Sequence, residues 1–91
     1  MVDGVVLYGN NDVVADVEVT LQQDAVFQQF PIVLETTRTD SQGRFRFDFA
    51  HDGEHIYYAA VKGLYSSSKE SKLSLSPGEN QDIVLRYYRS P

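Results

Sequence analysis

His51-Asp52-Gly53-Glu54-His55 brings two imidazoles and two carboxylates into five consecutive residues. Such a group could ligate a metal ion or pair a carboxylate with an imidazole as a general base. The spacing H-D-x-E-H on one turn is not a tetrahedral ligand arrangement. General-base work needs the imidazole within hydrogen-bond reach of its target, and neither histidine is placed beside Arg44 by the sequence. Exposed turn residues are the better reading. Asn10, Asn11 and Asp12 offer oxygens to calcium but too few carboxylates for a strong site, and a turn uses asparagines anyway. Arg38, Arg44 and Arg46 read as a solvated row, or one paired with Asp16, Glu18, Glu35 or Asp48. No Ser-His-Asp set, phosphate-binding glycine loop or nucleotide fingerprint is present. The sequence therefore assigns no catalytic, metal-binding or cofactor-binding residue, and no cofactor.

Aromatic side chains are the other chemistry on offer. Tyr58 and Tyr88 fall on strand faces that read as outward, beside Ile56 and Val84. Phe27 and Phe30 lie three apart in the glutamine-rich segment Gln23 to Pro31, as a loop capping the core or a ligand-contacting tip. An exposed apolar patch marks a partner surface or ligand platform, and sugars stack on such rings. The competing readings are an inverted strand face and coverage by Phe27 and Phe30.

The elements that must position these residues centre on Thr36 to Phe49. Phe45, Phe47 and Phe49 alternate with Arg44, Arg46 and Asp48 after the turn Asp40-Ser41-Gln42-Gly43. A period of two across a polar turn predicts a β-hairpin with one buried and one wet face. Asp40 can hydrogen-bond the turn's backbone, and Gly43 can take a positive φ. Further strands are predicted at Val5 to Tyr8, Asp16 to Gln22, Ile32 to Thr39, Ile56 to Val61 and Asp82 to Tyr88, with a weak edge strand inside Tyr65 to Ser76. Val17, Val19 and Leu21 should face inward, as should Leu73 and Leu75. Ile56 to Val61 is apolar on both faces, which suits a covered central strand and not a two-layer sandwich. The expectation is one domain over residues 1–91: all-β, a seven-stranded antiparallel Greek-key β-sandwich, prealbumin-like or Ig-like.

Composition narrows the role. A formal charge of −5 argues against nucleic acid. No apolar run is long enough for membrane insertion. The chain has no cysteine, hence no disulfide and no thiolate site. The short lead into the first strand and the ending Arg89-Ser90-Pro91 read as a module excised from a larger protein.

Three features recur together: Gly4-Val5-Val6 followed by alternating Val17, Val19 and Leu21; the run Thr39-Asp40-Ser41-Gln42-Gly43-Arg44-Phe45; and Tyr57 to Val61 leading to Gly63-Leu64-Tyr65. Over nearly the whole chain they resemble the carboxypeptidase regulatory-like domain of the prealbumin-like (transthyretin-like) β-sandwich group. The resemblance implies a non-catalytic module of an extracellular or cell-envelope protein, with neighbouring domains of the parent chain, another protein or a polysaccharide as partners. Adhesin relatives form an isopeptide crosslink from a first-strand lysine and a last-strand asparagine. Here the first strand carries Val5, Val6, Leu7 and Tyr8, and Asn80 lacks such a partner. The hydroxyisourate hydrolases of the group end in Tyr-Arg-Gly-Ser. Here Tyr88-Arg89-Ser90-Pro91 lacks the glycine, and the first strand has no histidine. The expected role is a structural or interaction module, with carbohydrate binding through Tyr58, Tyr88 and either Phe27 or Phe30 as the alternative and a hydrolase as a remote one.

Overall fold

The computed structural model describes residues 1–24, 31–61, 72–78 and 80–87. Seven strands run through these residues: β1 (Val2–Tyr8), β2 (Glu18–Gln23), β3 (Ile32–Arg38), β4 (Arg44–Phe47), β5 (Tyr57–Val61), β6 (Lys72–Ser74) and β7 (Asn80–Tyr87). They form a three-stranded sheet, β4-β1-β7, and a four-stranded sheet, β3-β2-β5-β6. Among the described residues there is no helix.

Alternation decides which face of each strand goes inside. Val2 and Val6 of β1, Phe45 and Phe47 of β4 and Leu85 of β7 meet Val19 and Leu21 of β2 and Tyr57, Ala59 and Val61 of β5 in one core. Leu75, just past β6, completes it, while Leu73 and Val17 pack at its margin. Fully burying a side chain such as Leu21 or Leu85 contributes roughly 1.5–3 kcal/mol. The expected inward residues of β2 and of the β6 region are thus inside.

The stretch from Thr36 to Phe49 corrects one expectation. It is not a hairpin, because β3 and β4 belong to different sheets. Its turn has the chemistry that was read: Asp40 Oδ1 accepts from Gln42 N at 2.8 Å and Arg44 N at 3.0 Å. Gly43 sits at φ 74°. The switch is made one residue before the turn. Thr39, 5% exposed, donates its hydroxyl to Val14 O at 2.7 Å and accepts from Val17 N at 3.0 Å. Thr39 N also donates to Val17 O, and Asp16 N donates to Thr39 O. These four bonds pin the corner to residues 14–17, so β4 leaves to pair with β1. A period of two fixes which residues are buried; it does not say that both arms share a sheet.

The sandwich is also not wholly antiparallel. β1 pairs antiparallel with β4 but parallel with β7. A parallel pair needs a long crossover, and the rest of the chain, passing through the other sheet, supplies it. β7 comes so close that a Cβ on Gly4 would run into the carbonyl oxygen of Ile83 and lie 2.9 Å from the Phe45 ring. An irregularity in the register adjoins this contact. Asp82 there takes φ 57°, and its N–H donates to Asp3 Oδ1 at 3.0 Å.

Candidate functional site

The histidine turn resolves into a brace. Asp52 Oδ1 accepts from Glu54 N (2.8 Å) and His55 N (3.0 Å), and Oδ2 lies 2.6 Å from His55 Nδ1 and accepts from Tyr57 OH at 2.8 Å. The backbone N–H of Glu54 first, then the His55 side chain, hold the Asp52 carboxyl well below the usual range. Burial, with the Asp52 bond behind it, pushes the Tyr57 phenol up. The Tyr57 ring is met edge-on by Phe49 and by His51, each with centroids 4.7 Å away. Asp52, Glu54 and His55 bring their ligand atoms within 4.8 Å of one another. Both Asp52 oxygens are already engaged with these partners, however, and the arrangement anchors the start of β5 to the core.

The asparagine turn and the three arginines are likewise engaged. Asn10 Oδ1 accepts from Asp12 N at 3.1 Å, and Asn11 Oδ1 accepts from Arg86 Nη1 at 2.5 Å, so this cluster is a turn. Arg38 Nε donates to Asp16 Oδ1 at 2.8 Å and its Nη2 to Asp16 O at 2.6 Å. Arg46 reaches Asp48 at 3.9 Å, and Arg44 reaches Asp82 at 3.6 Å, an acid outside the expected set. A hollow of about 390 Å³ lies among the three arginines, but Asp3 and Asp40 line it too. Mixed charge makes it a poor anion site. Asn80 spends its side chain on Ser76 N and O.

The expected aromatic patch is divided. Tyr58 belongs to β5 on the outer face of the four-stranded sheet, whereas Val84 belongs to β7 on the outer face of the three-stranded sheet. The core lies between these sheets, so the two do not form one surface. Ile56 is exposed just ahead of β5, and its carbonyl accepts from Asp24 N. Tyr88, Phe27 and Phe30 lie outside the described residues. Lys72 places its ammonium 4.4 Å from the Tyr58 ring centre, covering one ring face. The doubly apolar β5 is covered inside by the core, and outside its Ala60 floors a groove of about 510 Å³ with Thr20, Gln22, Val33 and Thr36.

What sequence reasoning passed over is β3. Ile32, Val33 and Leu34 are 40%, 55% and 39% exposed, and Thr37 alone in this strand is half-buried. β2 occupies one edge of β3, and among the described residues nothing pairs with the other. The register skips Leu34, which bulges between Val33 and Glu35. The available signal was the run Ile32-Val33-Leu34: three consecutive apolar residues in a strand cannot all face one core. Compared with known proteins, the chain matches no protein-family model and no curated sequence.

Proposed function

We propose that the chain is a non-catalytic interaction module, a Greek-key sandwich of the prealbumin-like, carboxypeptidase regulatory-like kind, serving an extracellular or cell-envelope protein. The observation that carries this reading is the contrast in how groups are satisfied. The chemically able side chains of the histidine turn and the asparagine turn are bound to their own backbone and neighbours. A seven-residue strand with an apolar run is left exposed. A rigid sandwich with a bare strand is suited to holding a neighbouring domain or protein.

Carbohydrate binding is the competing use of Tyr58, and a sugar stacking there must displace Lys72 or take the ring's other face. An amide NMR titration with soluble oligosaccharides separates the two. The docking module predicts no saturable shifts in a well-dispersed spectrum. Saturable shifts concentrated at Tyr58, Ala60 and Lys72 would replace it with a sugar-binding domain.

A further inference from the structure

We propose that the outer edge of β3 takes up an extended peptide segment as an added antiparallel strand, with apolar residues opposite Ile32 to Leu34 and a lysine or arginine opposite Glu35. This rests on the interaction-module reading and names its partner.

The four sheet edges differ in how well they are guarded. β6 has three residues, and Lys72 occupies one of them. β4 has four residues, two of them the exposed arginines 44 and 46. β7 is longer, but Asp82 breaks its register in the left-handed region. Short strands, charges and kinks are the usual means of keeping an edge from pairing. β3 has seven residues with three exposed apolar side chains, and its one irregularity, at Leu34, leaves Glu35–Arg38 regularly paired to β2. An unpaired edge presents a row of backbone donors and acceptors, whose natural complement is another strand.

Charge selects the occupant. Arg38 is neutralised by Asp16 at 2.8 Å. Glu35 has no ion-pair partner among the described residues, so the edge carries an uncompensated negative charge on a chain of net charge −5. Opposite charges facing each other across a strand pair stabilise it, and like charges do the reverse. A second copy of this chain is a poor occupant for that reason. Symmetric antiparallel pairing of the whole strand would set Glu35 against Glu35 and Ile32 against Arg38. A basic, β-branched peptide meets neither conflict, and antiparallel addition continues the direction already set by β2.

The test is an amide NMR titration of the full chain with two synthetic peptides, Thr-Thr-Thr-Lys-Val-Val-Ile and its Lys-to-Glu counterpart. The expected result is saturable shifts along β3 and the adjoining β2, with the lysine peptide binding about five-fold tighter. Glu35→Lys, a substitution on an exposed side chain, should reverse the preference while keeping the spectrum dispersed. No binding of either peptide at millimolar concentration, or shifts centred on the three-stranded sheet, would overturn the edge assignment, the latter leaving the module reading intact; equal binding of both peptides would overturn the basic occupant. Concentration-dependent self-association through β3 would also overturn it, making a second copy the occupant. Oligosaccharide shifts at Tyr58 without peptide binding would remove both readings.

Discussion

β3 and β4 are joined by one turn and end as edges of opposite sheets, yet they bear opposite loads. β4 buries Phe45 and Phe47 and turns two arginines to water, so its four residues hold the core closed. β3 buries almost nothing over seven residues. Its contribution to stability is the ladder to β2 and the Arg38–Asp16 bonds, and its apolar side chains Ile32, Val33 and Leu34 stay exposed. In a two-sheet domain two strands joined by one turn can thus differ, one holding the core and the other leaving an apolar run exposed. The fourth strand of the larger sheet is the one the core can spare.

The largest effect that would sharpen this contrast is in the core. Phe47→Ala should cost about 3–5 kcal/mol in chemical denaturation, while Val33→Ala should stay within about 0.5 kcal/mol. Comparable losses at the two positions would break the comparison. Next comes the corner that separates the strands. Thr39→Val keeps the shape but leaves Val17 N–H and Val14 C=O without their hydroxyl partner, at a cost of about 1–3 kcal/mol. A neutral outcome would mean that the switch between sheets is held elsewhere.

The turns that frame β4 on either side should respond to acid. Asp40, lowered chiefly by the Arg44 N–H and then that of Gln42, and Asp52 both have folded-state pKa values below their unfolded ones. On acidification the unfolded chain takes up these protons first, so stability present above about pH 4 is lost as pH falls further. Tyr57 works in the other direction: its raised pKa means stability is kept below about pH 10 and lost above it. Thermal unfolding across pH should show both shoulders. Asp52→Asn should weaken the acid one, and an unchanged acid limb would show that the brace carries no linkage. The smallest effect belongs to β4's guard charges: Arg44→Gln removes a loose exposed ion pair with Asp82 and should change stability by about 0–1 kcal/mol.

Much of this was legible in the residues. Val19 and Leu21, and Phe45 and Phe47, announce their burial by period alone, and Asp40 and Gly43 announce their turn; Tyr57 and Ala59 do not, because both faces of their strand are apolar. Pairing partners were not legible, because alternation is the same whether the next strand lies alongside or in the other sheet. Thr39 gave no signal, since a threonine at a strand end looks alike whether its hydroxyl meets water or Val14 O. Tyr58 and Val84 each read as outward, which they are; that they look out from opposite sides depends on sheet membership. The bare edge of β3 was hidden for the same reason, although its three apolar residues in a row hinted at it.

The most direct measurement is native-state amide hydrogen exchange along β3 in the free chain at low concentration. The account predicts alternation over Ile32 to Arg38: amides facing β2 protected, amides on the outer edge exchanging near the rate of unstructured chain. Uniform protection along all seven residues would mean that the edge is already covered, and the docking role of β3 would be contradicted.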